Sequence, residues 1–324
     1  MGATPSMILE VKNLRVEFPT RRGTLVAVDG ISFSIAPGEV LGVVGESGAG
    51  KSLTGAAVIG LLDPPGRIAA GEILLEGKRI DNLKHDEMRR VRGRRIGAIF
   101  QDPLTSLNPL FTIGEQLVET IDTHLHIGAT AARKNALELL AEVGIPAPEL
   151  RIDQYPHQFS GGMRQRVVIA LALAGRPRLI VADEPTTALD VSIQAQIITL
   201  LKRLAKEHAT AVMLITHDMG VIAETADRVA VLYAGRLAEI GPVREVIHAP
   251  CHPYTRGLMS SIPKLGEGRE RLAQIDGSMP RLNAIPPGCA YNPRCPERFG
   301  RCTAERPSPL SAGSNFAACW LYDK

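Results

Sequence analysis

Val40-Leu41-Gly42-Val43-Val44 is an apolar run that leads directly into a glycine-rich loop. The loop fits the pattern G-x-x-x-x-G-K-[ST] and consists of Gly45, Glu46, Ser47, Gly48, Ala49, Gly50, Lys51 and Ser52. Between a strand and a helix, such a loop lets backbone N–H groups surround phosphates, and the helix dipole adds to the attraction. Lys51 is then expected to reach the β- and γ-phosphates of a nucleotide, and Ser52 to bind Mg²⁺. The alternative is a plain glycine-rich turn with a surface lysine.

The composition excludes several classes of protein. The chain has 324 residues, of which 45% are hydrophobic and 22% charged, and this balance is not that of a disordered chain. A formal net charge of +3 is too small to indicate nucleic acid or an anionic membrane surface as a partner. The longest apolar run covers residues 167–175, well short of the ~18–20 residues needed to cross a bilayer. Because the first residues show no signal-peptide pattern, we expect a cytoplasmic protein.

Short apolar runs rich in β-branched residues alternate with helical patterns through residues 1–245. This alternation predicts an α/β fold with a mostly parallel, buried sheet. The predicted strands are Val40–Val44, Ile96–Phe100, Leu179–Ala182, Ala211–Ile215 and Val229–Tyr233, and the predicted helices include Thr130–Val143 and Val191–Lys206.

A pair of acidic residues, Asp183 and Glu184, directly follows the predicted strand Leu179–Ala182. Two adjacent carboxylates at the end of a buried strand are costly unless they have partners or a chemical role. Asp183 can hold Mg²⁺ through water, and Glu184 can polarise a water molecule for attack on a γ-phosphate. An acidic residue after a strand is also a common helix N-cap, so the pair gains its meaning from the phosphate loop.

A third motif, Phe159-Ser160-Gly161-Gly162-Met163-Arg164-Gln165, precedes another helical pattern. A helix that begins at this point offers N–H groups and a positive dipole end to a second anion. The motif resembles the signature of the ATP-binding-cassette (ABC) ATPases. The other motifs expected of that family are also present, and along the chain they occur in the order in which the family has them. They are Gln101 in Phe100-Gln101-Asp102-Pro103, Asp190 in Ala188-Leu189-Asp190, and His217 in Ile215-Thr216-His217-Asp218.

The resemblance implies a P-loop NTPase fold of the ABC type, with a mixed sheet core and a helical subdomain at about 102–165. It implies that two cassettes pair head to tail, so that Ser160, Gly161 and Gly162 meet the partner's γ-phosphate, and that Asp190, in a motif like the family's D-loop, belongs to the nucleotide-binding residues. Glu184 would be the general base, and His217 would hold the γ-phosphate and the attacking water. Gln101 would reach the metal and that water, and would couple the site to a neighbouring protein. The family stacks adenine on an aromatic residue, for which Phe18 is the candidate, with Phe33 and Arg22 as alternatives.

The last quarter of the chain differs from the rest. Ten of the 23 prolines and all five cysteines lie beyond residue 245, which predicts a domain boundary there and a loop-rich extension over 246–324. Three segments narrow the resemblance to the ATPases of bacterial dipeptide and oligopeptide importers. They are Tyr155-Pro156-His157-Gln158, His252-Pro253-Tyr254-Thr255 and Asn292-Pro293-Arg294-Cys295-Pro296. Relatives of that branch also move nickel, glutathione and other small solutes.

Four cysteines of the extension are candidate metal ligands, spaced as Cys289-x5-Cys295-x6-Cys302-x16-Cys319. Four thiolates suit tetrahedral zinc or an iron–sulfur cluster, and plain reduced thiols are the third interpretation. The usual zinc pairing C-x₂₋₄-C is absent, which favours the cluster over zinc. In the importer branch the pattern resembles a [4Fe–4S] site. Cys251 lies outside it.

The resemblance also implies partners. We expect an ATPase that binds ATP and Mg²⁺ at the cytoplasmic face of the bacterial inner membrane as a peripheral subunit. Its partners would be two transmembrane permeases, a second ABC ATPase (a paralogue or a second copy) and an extracytoplasmic solute-binding protein. The rival interpretation is an ABC ATPase acting on DNA or ribosomes. It is disfavoured by the absence of heptads and by the single cassette, and no nucleic acid partner is expected.

Overall fold

The structure is a computed structural model of the chain and describes residues 7–187, 189–261 and 274–323. Within those residues the strands, in chain order, are β1 Leu9–Thr20, β2 Gly23–Ile35, β3 Val40–Val44, β4 Arg67–Leu75, β5 Lys78–Arg79, β6 Ile96–Ile99, β7 Leu179–Asp183, β8 Ala211–Ile215, β9 Arg228–Tyr233, β10 Arg236–Pro242, β11 Leu310–Ala312 and β12 Asn315–Ala317. The helices are α1 Lys51–Val58, α2 His85–Val91, α3 Pro103–Ser106, α4 Ile113–Leu125, α5 Ala129–Glu142, α6 Pro148–Arg151, α7 Gly161–Leu173, α8 Val191–Glu207, α9 Met219–Thr225, α10 Val243–His248, α11 Pro253–Ser260 and α12 Gly300–Ala304.

The chain divides into two compact units, and the first comprises Met1–Leu9, Ile35–Glu39 and Asn82–Leu214. Its strands lie in the order β8-β7-β6, with β6 and β7 parallel and Ile96 opposite Leu179. Helices α4, α5 and α7 pack together. Their contacts bury Leu117, Ile121 and Leu140 completely. Each such side chain contributes about 1.5–3 kcal/mol by leaving water, so their burial stabilises the packing of these helices.

The second unit comprises Glu10–Ser34, Val40–Asp81 and Ile215–Lys324. It contains strands in the order β11-β12-β10-β9-β3, and β3 lies parallel to β9 with Leu41 opposite Arg228. Every residue of β3 is buried, which explains why this strand reads as an unbroken apolar run. A separate four-stranded sheet has the order β2-β1-β4-β5. The sequence patterns did not predict this second sheet.

In residues 246–261 and 274–323, the described part of the proline-rich extension, the helices are short, as predicted, since α11 has eight residues and α12 five. The extension also contributes β12, which pairs antiparallel with β10, with Glu239 opposite Ala317. Glu239 is fully buried and accepts hydrogen bonds from the backbone N–H groups of Cys251 (2.9 Å) and His252 (2.8 Å) and from Asn315 Nδ2 (2.8 Å). A buried carboxylate with three donors ties the extension to β10.

The α/β fold is confirmed. The predicted strands at Val40–Val44 and Ala211–Ile215 have those bounds in the structure, and the strand at residue 96 ends one residue early, at Ile99. Parallel pairing is found for β3 with β9 and for β6 with β7, whereas β9–β10 and β10–β12 are antiparallel. The proposed boundary at residue 245 and the helical subdomain at about 102–165 remain predictions. No helix in the described part of the chain is long and apolar enough to span a membrane.

Candidate active site

The glycine-rich loop of the second unit connects β3 to α1, as predicted. Gly45 has φ +152°, and a Cβ there would lie 2.3 Å from the carbonyl oxygen of Leu232, so a side chain would clash with backbone. Gly50 has φ +97° and directly precedes α1, a left-handed conformation that favours glycine. These two positions allow the chain to turn tightly from the strand into the helix.

Lys51 begins α1 and is 7% exposed. Its Nζ donates hydrogen bonds to the carbonyl oxygens of Gly45 (2.8 Å) and Glu46 (3.1 Å). An ammonium group held inside the loop, beside a helix start, fits the β- and γ-phosphates of a nucleotide. Ser52, Ser47 and Gly48 are exposed on the same segment, while Ala49 is buried. The residues present therefore fit a triphosphate, and the Ser52 hydroxyl is a suitable oxygen donor for Mg²⁺.

Glu46 is bound by two residues of the extension. Its carboxylate accepts hydrogen bonds from Arg294 Nη1 at 3.0 and 3.1 Å, and its backbone N–H donates to Tyr254 Oη at 3.0 Å. Sequence reasoning gave neither Arg294 nor Tyr254 a role. They lie 248 and 208 residues from Glu46, and no local pattern predicts such a contact.

In the first unit, β7 ends at Asp183, and Glu184 follows in the left-handed region with φ +47°. This conformation costs a glutamate roughly 1–2 kcal/mol, and such strain concentrates at functional positions. Glu184 Oε2 accepts hydrogen bonds from Gln101 Nε2 (3.2 Å) and Thr187 Oγ1 (2.8 Å). The structure thus brings together two of the three predicted catalytic side chains and adds Thr187.

Ser160 caps α7, and its hydroxyl accepts a hydrogen bond from the backbone N–H of Met163 at 3.4 Å. Ser160 and Gly161 are exposed, whereas a Cβ on Gly162 would lie 2.6 Å from the side chain of Ile193 at the start of α8. Glycine at this position lets the α7 start approach α8 closely.

Asp190 caps α8 and accepts hydrogen bonds from the backbone N–H of Ile193 (3.0 Å) and the hydroxyl of Ser192 (2.9 Å). These bonds hold the pKa of the Asp190 carboxyl below its usual range. Of the rest of this predicted motif, Leu189 is described, but Ala188 lies outside the described residues.

The remaining predicted residues belong to the second unit. His217 is exposed and follows β8, and Asp218 next to it caps α9. Phe18 lies on β1 and is half-buried, with its ring packed so closely on Gly66 that a Cβ there would lie 2.7 Å from it. The adenine-stacking role of Phe18 therefore remains a prediction.

The four cysteines predicted as cluster ligands all lie in the extension. Burial, together with the charges of Cys289, Cys295 and Cys302, raises the pKa of the Cys319 thiol to about 11. The backbone N–H of Cys289 donates a hydrogen bond to the carbonyl oxygen of Cys302 at 2.9 Å, so these two segments of the extension lie side by side. Among the described residues, however, no three His, Cys, Asp or Glu side chains are placed to hold a metal ion. As positioned, the cysteines do not fit a metal site, and the cluster stays a prediction from the sequence.

Comparison with known proteins identifies the family. A model described as ABC transporter matches residues 28–187, and one described as the oligopeptide/dipeptide transporter C-terminal region matches 238–302. The dipeptide transport ATP-binding protein DppD of Bacillus subtilis (strain 168) is 49% identical over 98% of this chain and 95% of its own length. The oligopeptide transport ATP-binding protein OppD of the same organism is 53% identical over 88% of this chain and 80% of its own.

Solved structures agree with these relatives. The dimeric structure of the ATP-binding cassette MJ0796 bound to ADP and Pi has a TM-score of 0.65 at 30% identity, covering 73% of this chain and 99% of the cassette. The fold and the phosphate loop thus define the class of protein as a P-loop NTPase of the ATP-binding-cassette type. The chain belongs to the ABC transporter family, in the group of the dipeptide and oligopeptide transport ATP-binding proteins.

Proposed function

We propose that the chain binds and hydrolyses ATP as the motor subunit of an importer for dipeptides or oligopeptides. The observation that carries the ATPase assignment is the hydrogen bond between Gln101 and Glu184, which joins two predicted catalytic residues far apart in sequence. The peptide assignment rests on the named relatives and on the match of the C-terminal region.

Each predicted residue is assigned a role on the basis of its motif. The phosphate loop from Gly45 to Ser52 cradles the triphosphate, and Phe18 stacks on adenine. Ser52, Asp183 and Gln101 would hold Mg²⁺, which supplies charge neutralisation at the β- and γ-phosphates. Glu184 accepts the proton of the attacking water, and His217 binds the γ-phosphate. The contacts of Glu184 with Gln101 and Thr187 support its role, because they orient the carboxylate before water is bound.

We infer that the working unit contains two cassettes, either two copies of this chain or this chain and a paralogue. Ser160, Gly161, Gly162 and Asp190 would face the partner's nucleotide. The exposed start of α7 supports this role, since its first N–H groups have no partner within the helix. The dimeric state of the solved cassette supports it as well.

An exposed apolar surface beside Gln101 supports a further contact, with a membrane-embedded permease. It comprises Phe100, Leu104, Leu110 and Phe111, of which Leu104 is 62% and Leu110 79% exposed. Several large apolar side chains exposed to water within one short segment indicate an interaction site. We propose that two permeases dock there, that they keep the chain at the cytoplasmic face of the membrane, and that a separate extracytoplasmic protein delivers the solute.

A [4Fe–4S] cluster on Cys289, Cys295, Cys302 and Cys319 is the last part of the proposal. Its support is the cysteine pattern in the sequence and the hydrogen bond from the backbone N–H of Cys289 to the carbonyl oxygen of Cys302 (2.9 Å), which brings two of the four residues together. Purification without oxygen should give a brown protein that contains iron. Zinc without iron, or no metal at all, would contradict the cluster.

Reconstitution tests the main proposal. The full chain, its permeases and a solute-binding protein are placed in proteoliposomes, and ATP hydrolysis and dipeptide uptake are measured together. We expect uptake that depends on ATP, is lost in Lys51→Ala and persists in Lys134→Ala. Lys134 is the control because it is an exposed lysine of α5, paired with Glu138. Hydrolysis without uptake of any peptide would overturn the substrate assignment, and no hydrolysis would overturn the function.

A further inference from the structure

A partly buried ion pair joins the C-terminal extension to the phosphate loop. Arg294 Nη1 lies 3.0 Å from Oε1 and 3.1 Å from Oε2 of Glu46, the second residue of the loop. The Arg294 side chain is only 7% exposed and that of Glu46 29%. Water screens such a pair less than it screens an ion pair on the open surface.

The extension fixes the guanidinium of Arg294 from other sides. Nε donates to the carbonyl oxygen of Asp276 (2.8 Å) and Nη2 to that of Ile275 (3.2 Å). Nη1 also donates to Tyr233 Oη at 3.3 Å. With its other donors used in this way, the arginine presents one nitrogen to Glu46, and its position is set by the extension and by Tyr233 of β9.

Tyr254 holds the backbone of the same loop residue. Its Oη accepts the N–H of Glu46 at 3.0 Å, and its side chain is completely buried. Burial raises the pKa of the Tyr254 phenol above its usual range, so the group stays neutral. Its ring packs edge-on against Tyr233, with centroids 4.6 Å apart. Both the side chain and the amide of Glu46 are therefore bound by residues of a packed cluster.

Glu46 is also the residue whose carbonyl oxygen, with that of Gly45, accepts hydrogen bonds from Lys51 Nζ. Tyr254 thus holds the Gly45–Glu46 peptide group, whose carbonyl oxygen is one of the two that bind Lys51, and Arg294 holds the side chain of the same loop residue. In addition, an unpaired carboxylate in a loop that binds a triphosphate would repel it, and the guanidinium cancels that charge.

We propose that Arg294 is a positioning residue for ATP, which acts through Glu46 by neutralising its charge and orienting the loop. This inference rests on the proposed function and adds to it that the extension controls nucleotide affinity. Both contacts to Glu46 come from a single nitrogen, so a lysine in place of Arg294 can supply the same charge, whereas a methionine cannot.

The test measures ATP binding by the full-length chain, and KM and kcat in the reconstituted transporter. Arg294→Met should raise Kd and KM for ATP roughly tenfold, with a smaller effect on kcat. Arg294→Lys should restore most of the affinity. Adding Glu46→Gln to Arg294→Met should also recover affinity, because it removes the unpaired charge. The control is Arg256→Met, since Arg256 pairs with Glu297 inside the extension (2.6 Å) and should leave KM unchanged.

The outcomes distinguish the positioning role of Arg294 from the proposed function of the whole chain. An unchanged KM in an active Arg294→Met transporter would overturn the positioning role alone, whatever happens to its melting temperature. A loss of affinity that Glu46→Gln fails to relieve would overturn the charge argument. If Arg294→Met does not fold, the Arg294→Lys variant provides the test instead. A large rise in the KM for ATP in Arg294→Lys would contradict the proposal. Absence of ATP binding by the parent chain would overturn the proposed function together with this inference.

Discussion

Gln101 Nε2 donates a hydrogen bond to Glu184 Oε2 at 3.2 Å, although 83 residues separate the two along the chain. The loop after β6 and the end of β7 carry these residues, and the parallel pairing of β6 with β7 puts both strand ends at the same edge. Glu184 adopts a left-handed conformation in this position. The contact links Glu184, the proposed general base, with Gln101, which is predicted to couple the site to a neighbouring protein.

Glu184→Gln should reduce ATP turnover by about 10²–10⁴-fold, because an amide cannot accept the proton of the attacking water. ATP-bound dimers should accumulate, and size-exclusion chromatography with Mg-ATP would detect them. Glu207→Gln is the control, since Glu207 pairs only with Arg203 on the exposed face of α8 among the contacts described. Normal turnover in Glu184→Gln would rule out its role as the base.

Gly45→Ala should destabilise the phosphate loop by more than about 1 kcal/mol, because the new Cβ meets the carbonyl oxygen of Leu232 at a strained φ. ATP affinity should fall with it, as measured by calorimetry. Gly300→Ala, where a Cβ meets nothing within 4 Å, should change neither stability nor affinity. Equal effects of the two substitutions would contradict the geometric argument.

Ser160→Ala should cost about 1 kcal/mol of unfolding free energy, since the cap of α7 is lost. It should also weaken ATP-dependent dimerisation. Thr112→Ala removes a comparable cap at the start of α4, where Thr112 accepts from the N–H of Glu115 at 3.2 Å. Thr112→Ala should lose a similar free energy of unfolding but keep normal ATP-dependent dimerisation. If Ser160→Ala also dimerises normally, Ser160 is only a helix cap.

His252 predicts a pH dependence of stability. Complete burial lowers the pKa of its imidazole to about 4, so the folded state keeps it neutral. Since the unfolded state takes up the proton first, stability is present above pH ~6.5 and is lost as pH falls towards about 4, by about 3 kcal/mol in all.

Urea unfolding between pH 4 and 7 measures this effect, as the difference between the parent chain and His252→Asn. The asparagine oxygen can still accept the N–H of Tyr254, which His252 Nδ1 accepts at 3.0 Å. The variant should lose part of the acid sensitivity. His85→Asn, at an exposed site of α2, should retain it. Parallel pH profiles for the parent chain and His252→Asn would contradict the prediction.

The sequence by itself determined the features that depend on neighbouring residues. The phosphate loop lies between β3 and α1, Ser160 caps α7, and Asp190 caps α8. Glycines that permit a tight turn and side chains that cap the next helix act within a few residues, so a motif contains the physical cause of its own conformation.

Only the tertiary structure decided which distant residues meet. Glu46 was predicted as part of the phosphate loop, but its pairing with Arg294 spans 248 residues and joins the extension to that loop. The four-stranded sheet and the pairing of β12 with β10 were likewise not predicted. Such contacts depend on how buried strands and loops pack against one another, and the free energy of that packing belongs to no single stretch of sequence.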